Sequence, residues 1–89
     1  MKVVWTSQFK KDYKRAGKRG CPLDELKGIA KKLADGKTLD ARHRDHPLKG
    51  FGKKLHRECH IKPDWLLVYR IEGDTIVFIR TGAHSDLFR

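Results

Sequence analysis

Between residues 54 and 81 the chain runs KLHRECHI, WLLVYRI and TIVFIRT, three apolar-rich runs separated only by short polar breaks. No other feature restricts the fold as much. Runs of this length, rich in β-branched and aromatic residues, read as strands. Pro63-Asp64 and Glu72-Gly73-Asp74 read as turns, and breaks this short leave no room for a crossover helix. Strands over 54–61, 65–71 and 75–81 must therefore return on one another as an antiparallel meander. In the first strand Leu55, Cys59 and Ile61 alternate with His56, Glu58 and His60, so one face is apolar and the other titratable.

The N-terminal half has a different period. Residues 2–5 (KVVW) form a short strand candidate, and Thr6 or Ser7 can cap a helix carrying Phe9, Tyr13 and Ala16 on one stripe. Lys10, Lys14 and Lys18 share another face of that helix, and Gly17 and Gly20 are placed to end it. A second helix opens at Pro22, with Asp24 and Glu25 at its positive end. Leu23, Leu26, Ile29, Ala30 and Leu33 form its apolar stripe, and Gly36 stops it. A strand, two helices and a meander predict an α+β fold with the helices packed on the sheet, and residues 1–89 read as a single domain. Residues 37–53, basic and punctuated by Pro47, Gly50 and Gly52, read as a loop of about 17 residues, a length that usually carries function.

Charge narrows the partners. Twenty-one Lys and Arg against eleven Asp and Glu give +10, and so basic a body favours a polyanion, nucleic acid first, with an acidic protein second. Cys21 and Cys59 are too few for a disulfide framework. Met1 is followed by KVVWTSQF, which is not a secretory leader, and no stretch reaches 18 apolar residues. The expectation is a cytoplasmic protein with reduced thiols and no membrane contact.

Five histidines, four of them between 43 and 60, supply groups that exchange protons near neutrality. A metal site built from His43 and His46, or from His56 and His60 with Cys59, is disfavoured. His56 and His60 sit four positions apart on a strand, about 13 Å, and Cys59 points the other way. Metal-free RNA cleavage fits better. It needs a base for the ribose 2′-hydroxyl, an acid for the leaving 5′-oxygen and a cation for the phosphate. The meander brings His60, Asp64 and Arg80 to one edge, where His46 and His84 can close over them. Arginine suits phosphate through its paired donors. Binding alone would use Trp65, Tyr69 and Phe88 as stacking rings, but Trp65 and Tyr69 share a strand face and read as core.

The segments DHPLKG (45–50), RECHIKPDWLLVY (57–69) and RTGAHSDLF (80–88) resemble the RelE/YafQ superfamily of toxin–antitoxin mRNA endonucleases, the YafQ branch above all. The resemblance implies a ribosome-dependent ribonuclease that needs no metal cofactor and cuts mRNA in the ribosomal A site. It also implies a cognate antitoxin that covers the RNA surface, with operator DNA reached only through that complex. Carried over, His46, His60, Asp64 and His84 look like the acid–base group, Arg80 the phosphate ligand and Phe88 a base contact, with Trp65 in support. His84 is expected as the acid, His60 or His46 as the base, and Asp64 as the group that orients a histidine. Lys10, Lys14, Lys53 and Lys54 are expected to face RNA, and His43 and His56 to be plain surface residues. Glu58 either tunes the site or pairs with a surface cation. The rival reading is a basic RNA-binding module, or an inactive toxin relative acting only as an antitoxin-bound co-repressor.

Overall fold

A computed structural model describes residues 1–50 and 55–88. The elements run β1 (Lys2–Trp5), α1 (Ser7–Lys18), α2 (Leu23–Ala34), a 3-10 turn (Ala41–His43), β2 (His46–Leu48), β3 (His56–Lys62), β4 (Trp65–Glu72), β5 (Thr75–Gly82) and α3 (His84–Leu87). They build one sheet in the order β1-β5-β4-β3-β2. The meander β3–β4–β5 is antiparallel as its short turns require, and β1 lies parallel to β5 at one edge, which makes the sheet mixed. The parallel pair arises because α1 and the intervening chain carry the strand direction back.

Thr6 fixes the junction of β1 and α1. Its Oγ1 accepts from the Phe9 amide at 3.0 Å and donates to the Ile79 carbonyl at 3.0 Å, so a single hydroxyl caps the helix and ties it to β5. Phe9 and Ala16 of α1 and Leu26, Ile29 and Leu33 of α2 pack on Cys59, Ile61, Trp65, Leu67, Tyr69, Ile76 and Phe78. These sheet residues sit at alternate positions and so share one face, and Leu66, Val68 and Val77 of the other face are buried as well. Trp65 and Tyr69 are core, as expected. Pro22 is the cap of α2 rather than its first residue.

Two expectations need correction. Leu55 does not join the apolar face of β3; it precedes the strand and is 75% exposed. The segment 37–53 is not wholly irregular, because its described part contributes the 3-10 turn and β2, the fifth strand. The chemistry that orders it lies just before β2. The Asp45 carboxylate accepts from the Tyr69 hydroxyl at 2.7 and 2.8 Å and from Arg57 Nε at 3.2 Å. Burial, then the Asp45 carboxylate, pushes the Tyr69 phenol above its usual range, which keeps it a donor. Among the described residues no helix is long and apolar enough to cross a membrane.

Candidate active site

Register places the polar residues. His46 of β2 pairs with Glu58 of β3, Glu58 with Val68 of β4, and Val68 with Arg80 of β5. One row across four strands therefore reads His46, Glu58, Val68, Arg80. The next row reads His60, Leu66, Gly82, and the chain then turns into α3 with His84. Directly paired residues share a face at about 4.5–5.5 Å between Cβ atoms, so β2, the meander and the turn into α3 together assemble the group. The ring centroids of His46 and His60 are 6.5 Å apart, those of His60 and His84 5.8 Å, and those of His84 and Phe88 6.4 Å.

Each histidine is held differently. His84 Nδ1 lies 2.7 Å from Asp64 Oδ1, and the same oxygen accepts the His84 backbone amide at 3.0 Å. That contact makes Nδ1 the donor and turns Nε2 away from the carboxylate. The two donors from His84 hold the Asp64 pKa below the usual carboxylate range. His60 has Nδ1 3.2 Å from the Pro63 carbonyl and Nε2 3.3 Å from Glu58 Oε1. His46 Nδ1 meets the Arg44 carbonyl at 2.6 Å, and its Nε2 stands 4.0 Å from the same Glu58 oxygen. Glu58 thus lies between two imidazoles with its side chain buried, and among the described residues no Lys or Arg pairs with it.

Arg80 is anchored from an unexpected side. The register slips between Tyr69–Phe78 and Val68–Arg80, leaving Ile79 as the extra residue of a bulge. Immediately after it, Arg80 Nε donates to Asp12 Oδ2 of α1 at 2.6 Å, and Nη2 lies 3.4 Å from Oδ1. Asp12, 1% exposed, also accepts from the Thr81 amide, Gln8 Nε2 and Arg15 Nη2. Thr81 in turn takes the Trp65 indole N–H on its hydroxyl, so Trp65 supports the strand that presents Arg80. The sequence offered a clue to Asp12, an acidic residue within the stripe of Phe9 and Ala16, but no local reading names an arginine 68 positions away as its partner.

The segment after β5 is held in place. Asp86 accepts from Arg19 at 2.7 Å and from the Ala83 amide at 2.9 Å, and these donors, Arg19 first, lower its pKa to about 2. A Cβ at Gly82 would sit 3.0 Å from Asp86 Cβ, so the glycine allows this close approach. Phe88 stays 40% exposed beside His84. Lys10 and Lys14 are exposed on α1, whereas Lys53 and Lys54 lie outside the described residues.

His43 and His56 depart from their expected surface roles. His43 Nδ1 meets the His60 carbonyl at 2.7 Å, and His56 is buried. The metal-capable set is likewise not one that spacing suggested. Glu58, His60 and His84 bring one ligand-type atom each within 4.8 Å of one another, because β3 and the start of α3 converge after the chain has closed. The Cys59 thiol, on the opposite face, has its pKa pushed up to about 12 by burial and takes no part in such a set.

One end of the sheet thus gathers three imidazoles, two carboxylates and an anchored arginine in a chain of net charge +10. Comparison with known proteins makes the class specific. Residues 1–89 match the family described as bacterial toxin of type II toxin-antitoxin system, YafQ. The mRNA interferase toxin YafQ of Escherichia coli K12 is 37% identical over 87 residues, covering 97% of this chain and 94% of that protein. The E. coli DinJ-YafQ complex contains a chain that superposes with a TM-score of 0.90 at 36% identity, covering 98% and 97% of the two chains. A metal-bound toxin from Helicobacter pylori gives 0.92 at 42% identity, covering 99% of each. The chain belongs to the YafQ family of type II toxin–antitoxin toxins.

Proposed function

We propose that this chain is an mRNA interferase that cleaves mRNA on the ribosome by metal-free acid–base catalysis, working in the cytoplasm and held in check by a cognate antitoxin. The observation that carries the reading is the gathering of His46, His60, Asp64, Arg80 and His84 at one end of the sheet. The curated E. coli relative is an mRNA interferase, and a solved relative is a toxin bound to its antitoxin DinJ, which supports the substrate and the partner. Operator DNA is reached only through the antitoxin complex.

The chemistry follows from the geometry. His84, with Nδ1–H on Asp64, directs Nε2 outward as the acid that protonates the leaving 5′-oxygen. His46, or His60 once its Nε2 leaves Glu58, accepts the 2′-hydroxyl proton. The freed 2′-oxygen attacks phosphorus and the P–O5′ bond breaks, leaving a 2′,3′-cyclic phosphate and a 5′-hydroxyl. Arg80, with one edge on Asp12, turns its remaining N–H groups to the charged phosphate oxygens. Phe88 stacks on a base beside His84, and Lys10, Lys14, Lys53 and Lys54 meet the RNA or rRNA backbone.

A metal-free reaction is supported by the supply of base, acid and cation from side chains. A dication at Glu58, His60 and His84 would occupy ring nitrogens that the proton transfers require. EDTA is therefore expected to leave cleavage unchanged in assays where ribosome integrity is verified separately, and added Zn²⁺ to slow it. His84→Ala is the cleanest test of the site, because His84 is exposed. Cleavage of mRNA on programmed ribosomes should fall about 10²–10⁴-fold with an unchanged melting temperature. Full activity in that variant would remove the proposed acid. Arg80→Ala is a poorer probe, since it also takes a partner from buried Asp12.

A further inference from the structure

A side chain continues the sheet edge beside the histidines. β2 pairs with β3 from Leu48–His56 to His46–Glu58, and past Glu58 no strand pairs with that edge of β3 among the described residues. The 3-10 turn lies there instead, and His43 at its end meets the His60 carbonyl with Nδ1 at 2.7 Å. A carbonyl only accepts, so Nδ1 carries the proton of this bond. His43 is half-buried, and the bond is partly shielded from competing water.

The bond falls on an irregular point of the strand. The β3–β4 register shifts between His60–Leu66 and Lys62–Trp65, which makes Ile61 the extra residue of a bulge. Bulges of this kind bend a strand and re-aim the side chains beside them. Ile61 goes into the core, while His60 stands with Nε2 3.3 Å from Glu58 and its ring centroid 5.8 Å from that of His84. A second irregularity comes one residue after His43. Arg44 has φ 47 and ψ 46, the left-handed region, which costs a residue with a Cβ about 1–2 kcal/mol. In that conformation its carbonyl lies 2.6 Å from His46 Nδ1. Asp45, next in the chain, is pinned by Tyr69 and Arg57. Residues 43–46 therefore secure both imidazoles that flank Glu58, His60 through its backbone and His46 through its ring.

We infer that His43 is a positioning residue: its bond to the His60 carbonyl holds the β3 bulge and so sets the His60 ring toward Glu58 and His84. His43 touches none of the reacting groups and acts through His60. The inference rests on the acid–base reading proposed above and adds a residue which that reading left outside the site. The strain at Arg44 has a use in the same scheme, because the chain must pass from the His60 carbonyl to the pairing of His46 with Glu58 within three residues.

The test uses the full chain and three variants. His43→Asn keeps a donor nitrogen bonded to Cγ, as Nδ1 is, whereas His43→Phe keeps a ring without a donor and His43→Ala removes the donor without adding bulk. Single-turnover cleavage of mRNA on programmed ribosomes should slow about 10–10²-fold in His43→Phe and His43→Ala, with the half-saturating ribosome concentration unchanged. His43→Asn should recover most of the rate. An NMR readout needs no activity: the ring-to-ring NOE between His60 and His84 should weaken in the two donor-free variants and persist in His43→Asn. An unchanged rate and NOE in both donor-free variants overturns the inference. So does a His43→Asn variant as slow as they are, which makes the ring itself the cause, and so does a change confined to half-saturation, which makes His43 an RNA contact. A weakened NOE with a wild-type rate supports the hold on His60 and counts against His60 in the proposed chemistry. Failure of the wild-type chain to cleave mRNA falls on the proposed function, and the NOE comparison then decides the role of His43 without it.

Discussion

Two carboxylates each hold one residue of the candidate site, and they do so on opposite principles. Asp12 and Arg80 join α1 to β5 across 68 residues, with the carboxylate side chain 1% exposed and four donors around it. Asp64 and His84 meet at the surface, with side chains 70% and 54% exposed. The first pair is expensive to disturb, because a buried charge that loses its partner has no water to replace it. The second contributes little to folding, because water competes for both groups. Structure is thus stored in the pair that fixes Arg80, and adaptability is left in the pair that holds His84, where the proposed proton transfer takes place.

The largest effect that can break this contrast is on stability. Asp12→Ala should cost about 3–5 kcal/mol, a large share of the roughly 4–13 kcal/mol expected for a chain of this length. Urea melts would show it, and a loss below 1 kcal/mol would mean that the Asp12 network is not structural. Asp64→Asn sharpens the other half. Cleavage should drop by up to about 10²-fold, the low end of acid–base effects, while the melt stays in place. An equal fall in stability would erase the difference between the two pairs.

The smallest effect concerns acid. Asp86 has a folded pKa of about 2 against about 3.9 for an unfolded aspartate, so the unfolded state takes up its proton first as pH falls. Its contribution is present above pH 4 and lost as pH drops toward 2. Hydrogen exchange at residues 83–88 should therefore rise over that window. Asp86→Asn should remove the pH dependence.

Most of the fold was legible because it follows from local periods. The two-residue alternation of 54–81 and its short turns dictate the meander, and the meander dictates that His60, Leu66 and Gly82 share a row. The parallel pairing of β1 with β5 was not legible, since no local pattern fixes which edge an N-terminal strand takes. The site divided in the same way. Its histidines, Asp64 and Arg80 stand out by residue type, whereas Asp12 was passed over and Glu58 was ambiguous. Their roles depend on contacts made after the chain closes. His56 was misjudged because strand alternation predicts a polar face without saying how deeply that face is covered.

The two cysteines differ in a way that has practical weight. Cys59 is fully buried, its thiol pushed to a pKa of about 12, so maleimides and mild oxidants should leave it untouched in the folded protein. Cys21 is partly exposed just ahead of α2. Nature has in effect supplied a single conjugation point at the start of that helix, with no cysteine added or removed.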